Sequence, residues 1–556
     1  MRNYVKLLSN YWHTIRYLKF RQILGRIQRK IKFNSVNTCP ANKLRKHNGR
    51  GRIPAKRSQR MIKKNIFRFL NETHQINVKE DWNNSSWAKL WLYNLHYFDD
   101  LTAIDSKKRT NWHNYILDRW INENPVGKGN GWEPYTISLR IVNWIKWMLN
   151  ENIYDKRILD SLSIQSNWLF SRIEWHLLAN HLFVNAKALI FSGIFFNGEI
   201  AESWLSKGIE ILKKQLNEQI LEDGGHFELS TMYHGLILED ILDLINLGVS
   251  YSNSLNKSQR SFFLNLKIIS TRMLYWYEKM HHPDNKISFF NDATFEISSD
   301  YIKLNQIAKK LGIKNKKGNK NFNFFEKSGY FRFDKWSVVL IGDVGRVGPS
   351  YMPGHAHADT LSFEMSIDGK RLVVNSGVST YSSSEERLLQ RGTPCHSTLN
   401  YGNLNSSEVW SSFRVGRRAN TTVKKYFKNK NKLYMSAYHD GYNHLNKNYL
   451  HRRDWSLEKN LITIEDYFSN NNFFGIEIKF FLHPFIKPQL AGKKIVCFNL
   501  KGKSKVAEFN FEENLNIEII NTFWYPAFNK RIKNFCISIR PNEKFKNNKI
   551  KTYVNI

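Results

Sequence analysis

Residues 354–377 read Gly-His-Ala-His-Ala-Asp-Thr-Leu-Ser-Phe-Glu-Met-Ser-Ile-Asp-Gly-Lys-Arg-Leu-Val-Val-Asn-Ser-Gly. Leu361, Phe363, Met365 and Ile367 alternate with Ser362, Glu364 and Ser366, the period of a strand with one buried face. In an extended chain, side chains at i and i+2 share a face, so His355, His357 and Asp359 are expected to project together. Two imidazoles and a carboxylate on one surface can hold a metal, shuttle protons, or divide those tasks. They can also be hydrogen-bonded histidines that close a turn.

The strand texture extends on both sides of this stretch. Val338 to Ile341, Leu372 to Val374, Ile476 to Leu482, Leu515 to Ile519 and Phe535 to Ile539 are short apolar or alternating runs separated by Gly, Asn and Lys. Many short strands at such intervals predict an antiparallel β-sandwich. Upstream the texture is helical. Twelve of the 17 tryptophans fall between Trp82 and Trp276. Between Trp175 and Gly193, and again from Leu236 to Ile245, apolar residues recur mostly at steps of three or four, one buried stripe of an amphipathic helix in each case. The polar stretch Lys309 to Asn323 is the expected join. Helices followed by strands predict a multidomain α + β chain: a basic amphipathic segment over 1–60, a helical domain over 61–320 and a β-sandwich over 321–556, with a ligand cleft where the last two meet.

Composition narrows the partners. Lys and Arg number 84 against 48 Asp and Glu, a formal charge of +36. Such a field attracts polyanions: nucleic acid, acidic polysaccharide or an anionic membrane surface. No recognised nucleic-acid module accompanies the charge, so no nucleic-acid partner is expected. Hydrophobic residues make up 42%, which excludes wholesale disorder. No apolar run reaches the roughly 18–20 residues that span a bilayer, and the four cysteines have no metal or disulfide spacing. Residues 1–33 interleave apolar and basic side chains at helical spacing without the continuous apolar centre of a secretory signal. This segment suits a peripheral membrane contact, another subunit, or the surface of its own protein.

Three further clusters carry chemistry. Asn180-His181 sits on an apolar helical pattern, where Asn is a poor interior residue. Asp223-Gly224-Gly225-His226-Phe227-Glu228 turns sharply into a helical pattern containing Tyr233, whose phenol can act as acid or base in a cleft. Arg387 and Arg391 precede His396, and their guanidinium groups suit either a bidentate grip on a substrate carboxylate or an interdomain ion pair.

Together, "LANHLFVNAKALIFSG", "EDGGHFELSTMYH", "GHAHADTLSFEMSIDGKRLVVNSG" and "RGTPCHSTL" resemble the signature blocks of the heparinase II/III-like polysaccharide lyases, in the same order and over about residues 80–420. The resemblance implies an incomplete (α/α) toroid of helical hairpins followed by an antiparallel β-sandwich. It also implies β-elimination at a uronic acid of an acidic polysaccharide. By that analogy Asn180 and a histidine neutralise the carboxylate, and Tyr233 is the general acid and a candidate base. His355 contacts the carboxylate or takes the C5 proton, His181 serves the opposite epimer, and His226, Arg387 and Arg391 bind substrate. Relatives of this type often hold a structural divalent ion, zinc or calcium, at positions that here read His357, Asn375 and His396. Asn is a weaker ligand than carboxylate, so no cofactor is expected to be required. A periplasmic or extracellular setting is implied too. The competing readings are a non-catalytic polysaccharide-binding or assembly protein of an exopolysaccharide system, and a metal-dependent hydrolase.

Overall fold

Tryptophan density and short polar turns give the first half its form. The computed structural model describes every residue except Met1, 32–42, 50–56, 315, 317, 319, 403, 446–448, 470–474 and 501–503. Helices α1 (Arg2–Ile15) and α2 (Phe20–Ile31) form an amino-terminal arm, and a small antiparallel sheet (Met61–Lys63, Ile66–Phe69, Glu72–Gln75) follows. Then come α3 (Lys89–Tyr97), α4 (Thr110–Glu123), α5 (Pro134–Glu151), α6 (Lys156–Ser171), α7 (Ala179–Phe195), α8 (Glu199–Gln219), α9 (Thr231–Ser250), α10 (Lys257–Lys279) and α11 (Tyr301–Lys310). Local chemistry starts several of them. Pro134 opens α5, Asp155 accepts from the Arg157 and Ile158 amides ahead of α6, and Asn256 and Gln259 close a reciprocal cap on α10. Consecutive helices pair as hairpins, α5 with α6, α7 with α8 and α9 with α10, while α7 also packs on α5 and α9. The result is an incomplete (α/α) toroid.

Helix α7 corrects the expectation of a single apolar stripe. Every residue from Ala179 to Phe195 except His181 is buried, so it is a central helix enclosed on all sides. Close approach to α8 depends on two glycines. A Cβ at Gly193 would lie 2.5 Å from the Leu205 amide nitrogen, and one at Gly208 would lie 2.9 Å from the Ala186 carbonyl. The tryptophans fill the same interior. Trp120 meets Trp144 edge-on at 5.5 Å, with the Arg140 guanidinium 3.8 Å over its ring. Each such aromatic contact contributes about 0.5–1.5 kcal/mol beyond area burial.

From Phe322 onward the chain is an antiparallel β-sandwich. Among the described residues one sheet has nine strands and the other eight, and every pairing within them is antiparallel. Leu340, Met365, Phe480 and Ile537 of the first share a core with Trp455, Ile464, Phe509 and Val554 of the second. The strand expected from Leu361 begins at Phe363 instead. Leu361 has φ +61°, which breaks an extended run, and residues 354–360 form a loop. His355, His357 and Asp359 are therefore loop residues. Among the described residues no helix is long and apolar enough to cross a membrane.

The arm packs on its own chain. Gln22 donates to the Tyr351 carbonyl, Thr14 donates to the Val415 carbonyl, and Arg21 lies 3.6 Å over the Trp175 ring. Its outer face leaves Leu8, Trp12 and Phe20 exposed.

Candidate active site

Two helix starts and one sandwich loop meet at the domain junction. Leu178 and Ala179 take positive φ values of 64° and 48° and so begin α7 abruptly. Asn180 and His181 lie in its first turn, where the interior of a longer helix was expected. At α9, the Ser230 hydroxyl accepts from the Tyr233 amide at 3.1 Å and donates to the Asp292 carbonyl, so the cap also ties the helix to the loop that carries Asp292. Gly224 has φ +96°, and a Cβ there would meet the Arg272 carbonyl at 2.4 Å, so the tight turn before α9 requires glycine.

Asp292 is the hub. Its carboxylate receives His355 Nδ1 at 2.9 Å, His357 Nε2 at 2.8 Å and a two-pronged contact from Arg387, with Nη2 at 2.7 Å. Burial alone would raise the Asp292 pKa, but the Arg387 guanidinium and the hydrogen bonds from His355 and His357 hold it well below the usual carboxylate range. An ionised carboxylate only accepts, so His355 donates through Nδ1 and keeps Nε2 for another partner. That nitrogen lies 3.7 Å from Glu228, whose carboxyl is pushed up by burial against the pull of His355 and His181.

The Tyr233 ring stacks on His355, centroids 3.9 Å apart, and its hydroxyl is 3.4 Å from that of Tyr381. Burial, followed by the neighbouring Tyr381, Tyr135 and Asp292, raises the Tyr233 phenol well above 10, so it stays protonated. His181 behaves differently. Burial would lower it, but Glu174, 3.2 Å from Nδ1, raises it above 6.5. The Asn180 side-chain oxygen is buried with no hydrogen-bond partner among the described residues.

These groups open on one cavity of about 580 Å³, to which Asn180, His181, Tyr233, His355, Tyr381 and Phe413 all contribute. A second lobe of about 150 Å³ adjoins it, and Leu90, Tyr97, Tyr135, Asn180, Tyr233 and Tyr381 line both. Asn180 and Tyr233 thus stand at the waist between two lobes.

Other predicted residues lie elsewhere. Arg387 is spent on Asp292 and also donates to the Ser412 carbonyl. Arg391 donates to the Ala356 and Ser411 carbonyls. His226 is buried against Gln219, with its amide on His234. None of the three lines the cavity, which corrects their assignment as direct substrate contacts. The ion-pair alternative fits Arg387, and Arg391 fastens the His355–His357 loop to residues 411–414. Asp359 hydrogen-bonds neither histidine and instead accepts from the Asn291 amide at 2.9 Å.

The divalent-ion positions form an incomplete metal site among the described residues. His357 donates through Nε2 to ionised Asp292 and His396 donates through Nδ1 to the Gly392 carbonyl, which leaves His357 Nδ1 and His396 Nε2 unprotonated and 3.2 Å apart. Asn375 donates to the Phe289 carbonyl and Ser362 and accepts from the Ser397 amide. Two imidazole lone pairs thus converge, but the Asn375 carboxamide is engaged and, among the described residues, no third His, Cys, Asp or Glu completes a metal site. Sequence reading missed Asp292, Glu174, Tyr135 and Tyr381. Asn291-Asp292, two polar residues between Phe289-Phe290 and Ala293, was the available signal for the hub.

Similar proteins share this architecture. The chain is 24% identical over 356 residues to a heparin-sulfate lyase of Bacteroides stercoris, covering 55% of this chain and 52% of that protein. It is 26% identical over 343 residues to one of Pedobacter heparinus, covering 54% and 49%. The chain thus spans about half the length of these curated relatives. A crystal structure of heparinase III superposes with a TM-score of 0.63 at 17% identity, covering 84% of this chain and 76% of that one, which establishes the toroid-plus-sandwich fold. Residues 29–314 match the Heparinase II/III N-terminus model and residues 317–552 the Heparinase II/III-like, C-terminal model, so the chain belongs to the heparinase II/III-like family.

Proposed function

We propose that this protein is a polysaccharide lyase that cleaves a uronic-acid-containing acidic polysaccharide by β-elimination. The observation that carries this reading is that Asn180, Tyr233 and His355, from two helices and a sandwich loop, line one cavity. The curated relatives are heparin-sulfate lyases, which favours a glycosaminoglycan-type substrate.

The C5 proton of a uronate is weakly acidic, and its removal spreads charge onto the carboxylate. Asn180 and a protonated His181, held by Glu174, neutralise that carboxylate. His355, oriented through Nδ1 by ionised Asp292, takes the C5 proton at Nε2. The C5–H electron pair becomes the C4–C5 double bond, the C4–O bond breaks, and the Tyr233 phenol delivers its proton to the departing glycosidic oxygen. Exchange with solvent through the cavity resets both groups. The raised phenol suits Tyr233 as the acid and argues against it as the resting base. No metal enters any step. A periplasmic or extracellular setting goes with such a substrate, and the exposed row Leu8, Trp12 and Phe20 is the face available to a peripheral membrane contact.

The test is to incubate the protein with a panel of uronate polymers and follow ultraviolet absorbance of the new double bond. Rising absorbance supports the lyase, whereas new reducing ends without absorbance support a hydrolase. Tight binding with neither product supports the non-catalytic polysaccharide-binding protein. Tyr233→Phe is expected to cost roughly 10²–10³ in rate or more while still binding substrate, and full activity in that variant refutes its role.

A further inference from the structure

The amino-terminal arm crosses the mouth of the cavity. On the toroid side, Gly25 lies flush with the backbone of residue 176, where an added Cβ would sit 2.8 Å from the His176 nitrogen. On the sandwich side, Trp410 Nε1 donates to Thr14 at 3.2 Å and Tyr11 meets the Trp410 ring edge-on at 4.9 Å. The arm thus bridges the two domains that form the cleft. Tyr11, Thr14, Ile15, Leu18, Gln22 and Arg26 form its share of the cavity wall. The match to the family's amino-terminal model begins at residue 29, so the residues that build this wall precede it.

Charge divides the two lobes. Among the described residues, the larger lobe, beneath the arm, is lined by the guanidinium-bearing Arg26 and Arg414 and by no Asp or Glu. The smaller lobe is lined by Asp99, Glu239, Asp240, Asp243 and Glu296, set against Arg57, Arg60, Lys146 and Lys187. Arg414 is partly occupied, donating to the Tyr11 hydroxyl at 3.2 Å with its guanidinium 4.8 Å over Trp410. Arg26 is exposed, and no hydrogen bond or ion pair holds it among the described residues. A cation on a cavity wall with no carboxylate is matched by an anionic ligand.

We propose that the arm is a wall of the substrate site and that Arg26 binds an anionic group, carboxylate or sulfate, on a sugar flanking the one cleaved. This rests on the lyase reading and deepens it. The polymer then lies with a charged flanking sugar under the arm. Arg26, Leu18 and Tyr11 become determinants of which sugar is accepted beside the scissile bond.

The experiment measures binding by the full chain of two probes, a heparosan tetrasaccharide bearing carboxylates alone and a heparan sulfate tetrasaccharide bearing both groups. Wild type, Arg26→Lys, Arg26→Gln and Arg26→Glu are compared, with thermal unfolding to confirm that each is folded. Losing one charge-assisted contact is expected to weaken binding about tenfold in Arg26→Gln, more in Arg26→Glu and less in Arg26→Lys. Equal loss for both probes identifies carboxylate as the partner, and loss confined to the sulfated probe identifies sulfate. Affinities unchanged within about twofold in all variants, or no binding of either probe by wild type, overturn the proposal. Weakened binding by the variants when no polymer yields absorbance sinks the lyase reading alone. Normal turnover with unchanged binding sinks the arm's role alone.

Discussion

The molecule builds nearly the same cluster twice. At the domain junction, Asp292 joins Arg387, His357 and, through His357, His396. Within the sandwich, Asp466 receives His451 Nε2 at 2.6 Å and Arg453 Nε at 2.7 Å, and His451 Nδ1 lies 3.2 Å from His439 Nε2. In both, burial is overruled by the arginine and a histidine, so the carboxyl pKa is lowered. In both, the paired histidines are pushed down by burial, His396 to about 4. The junction cluster has one addition, His355, which takes the second carboxylate oxygen and reaches the cavity. A dense set of titratable groups is therefore an ordinary structural solution here, and the opening to a cavity separates a site from a buttress.

The comparison breaks most sharply at the added imidazole. His355→Ala removes the group beside Tyr233 and one of the hydrogen bonds to buried Asp292, and turnover is expected to fall by about 10²–10⁴ with roughly 1–3 kcal/mol lost from stability. His451→Ala in the enclosed cluster is expected to cost stability alone. It leaves a buried carboxylate short of a partner, costing roughly 1–3 kcal/mol of stability. Its rate per folded molecule stays within about twofold of wild type, a ratio consistent with the absence of any catalytic contact. Initial rates from the absorbance assay, paired with denaturant unfolding, read both. A loss of rate in folded His451→Ala equal to that of His355→Ala would erase the distinction.

A smaller contrast in outcome comes from the carboxylates. Asp292→Asn and Asp466→Asn each strand a buried guanidinium, and each is expected to lower unfolding free energy by about 3–5 kcal/mol. Stability alone cannot tell them apart. Activity can, because the carboxamide introduced by Asp292→Asn no longer enforces the Nδ1–H form of His355, so the folded fraction of that variant is expected to be slow. The Asp466→Asn protein is expected to retain most of its rate, reduced only as far as Arg453 stops holding the Leu361 and Ser397 carbonyls beside the junction loops.

How much of this was legible depended on how local each signal is. Strand alternation from Phe363 to Ile367 and the apolar run around α7 are short-range patterns, and both elements appear within a few residues of their expected limits. His355-Ala-His357 was visible for the same reason. Asp292 was not, because it comes from a loop more than 60 positions away and has no neighbouring motif. Arg387 and Arg391 were visible but misread. An arginine beside histidines looks available in sequence, and only packing reveals that Asp292 and backbone carbonyls have consumed its donors. Asn180 was expected inside a helix because the apolar run begins before it, while the positive φ at Leu178 and Ala179 delays the first turn to that position. The sandwich cluster is cross-strand: Arg453 and Asp466 face each other in register, which sequence spacing alone does not disclose.

The smallest expected effect separates the enclosed pairs from the half-open one. His181, about a quarter exposed, pairs with Glu174 at 3.2 Å. Its pKa is raised from 6.5 by Glu174 against burial, and Glu174 is lowered from 4.5 against its own burial by His181 and Asn185. A raised folded pKa means the contribution is fully present below the unfolded value of 6.5 and is lost as pH rises through the folded value. Glu174, depressed, contributes above 4.5 and fails only as pH drops through its lowered value. Between about pH 4.5 and 6.5 both ions are therefore in place. The stability difference between wild type and His181→Gln is expected to be flat there, at about 0.5–1 kcal/mol given the partial exposure, and to shrink above it. Under the proposed mechanism the rate is expected to decline on the same alkaline limb, because a neutral His181 would no longer balance the substrate carboxylate. Buried His357 and His451, whose pKa values are lowered, produce no such alkaline loss. A stability difference that instead grows with rising pH would mean that His181 is neutral at rest and that carboxylate neutralisation falls to Asn180 alone.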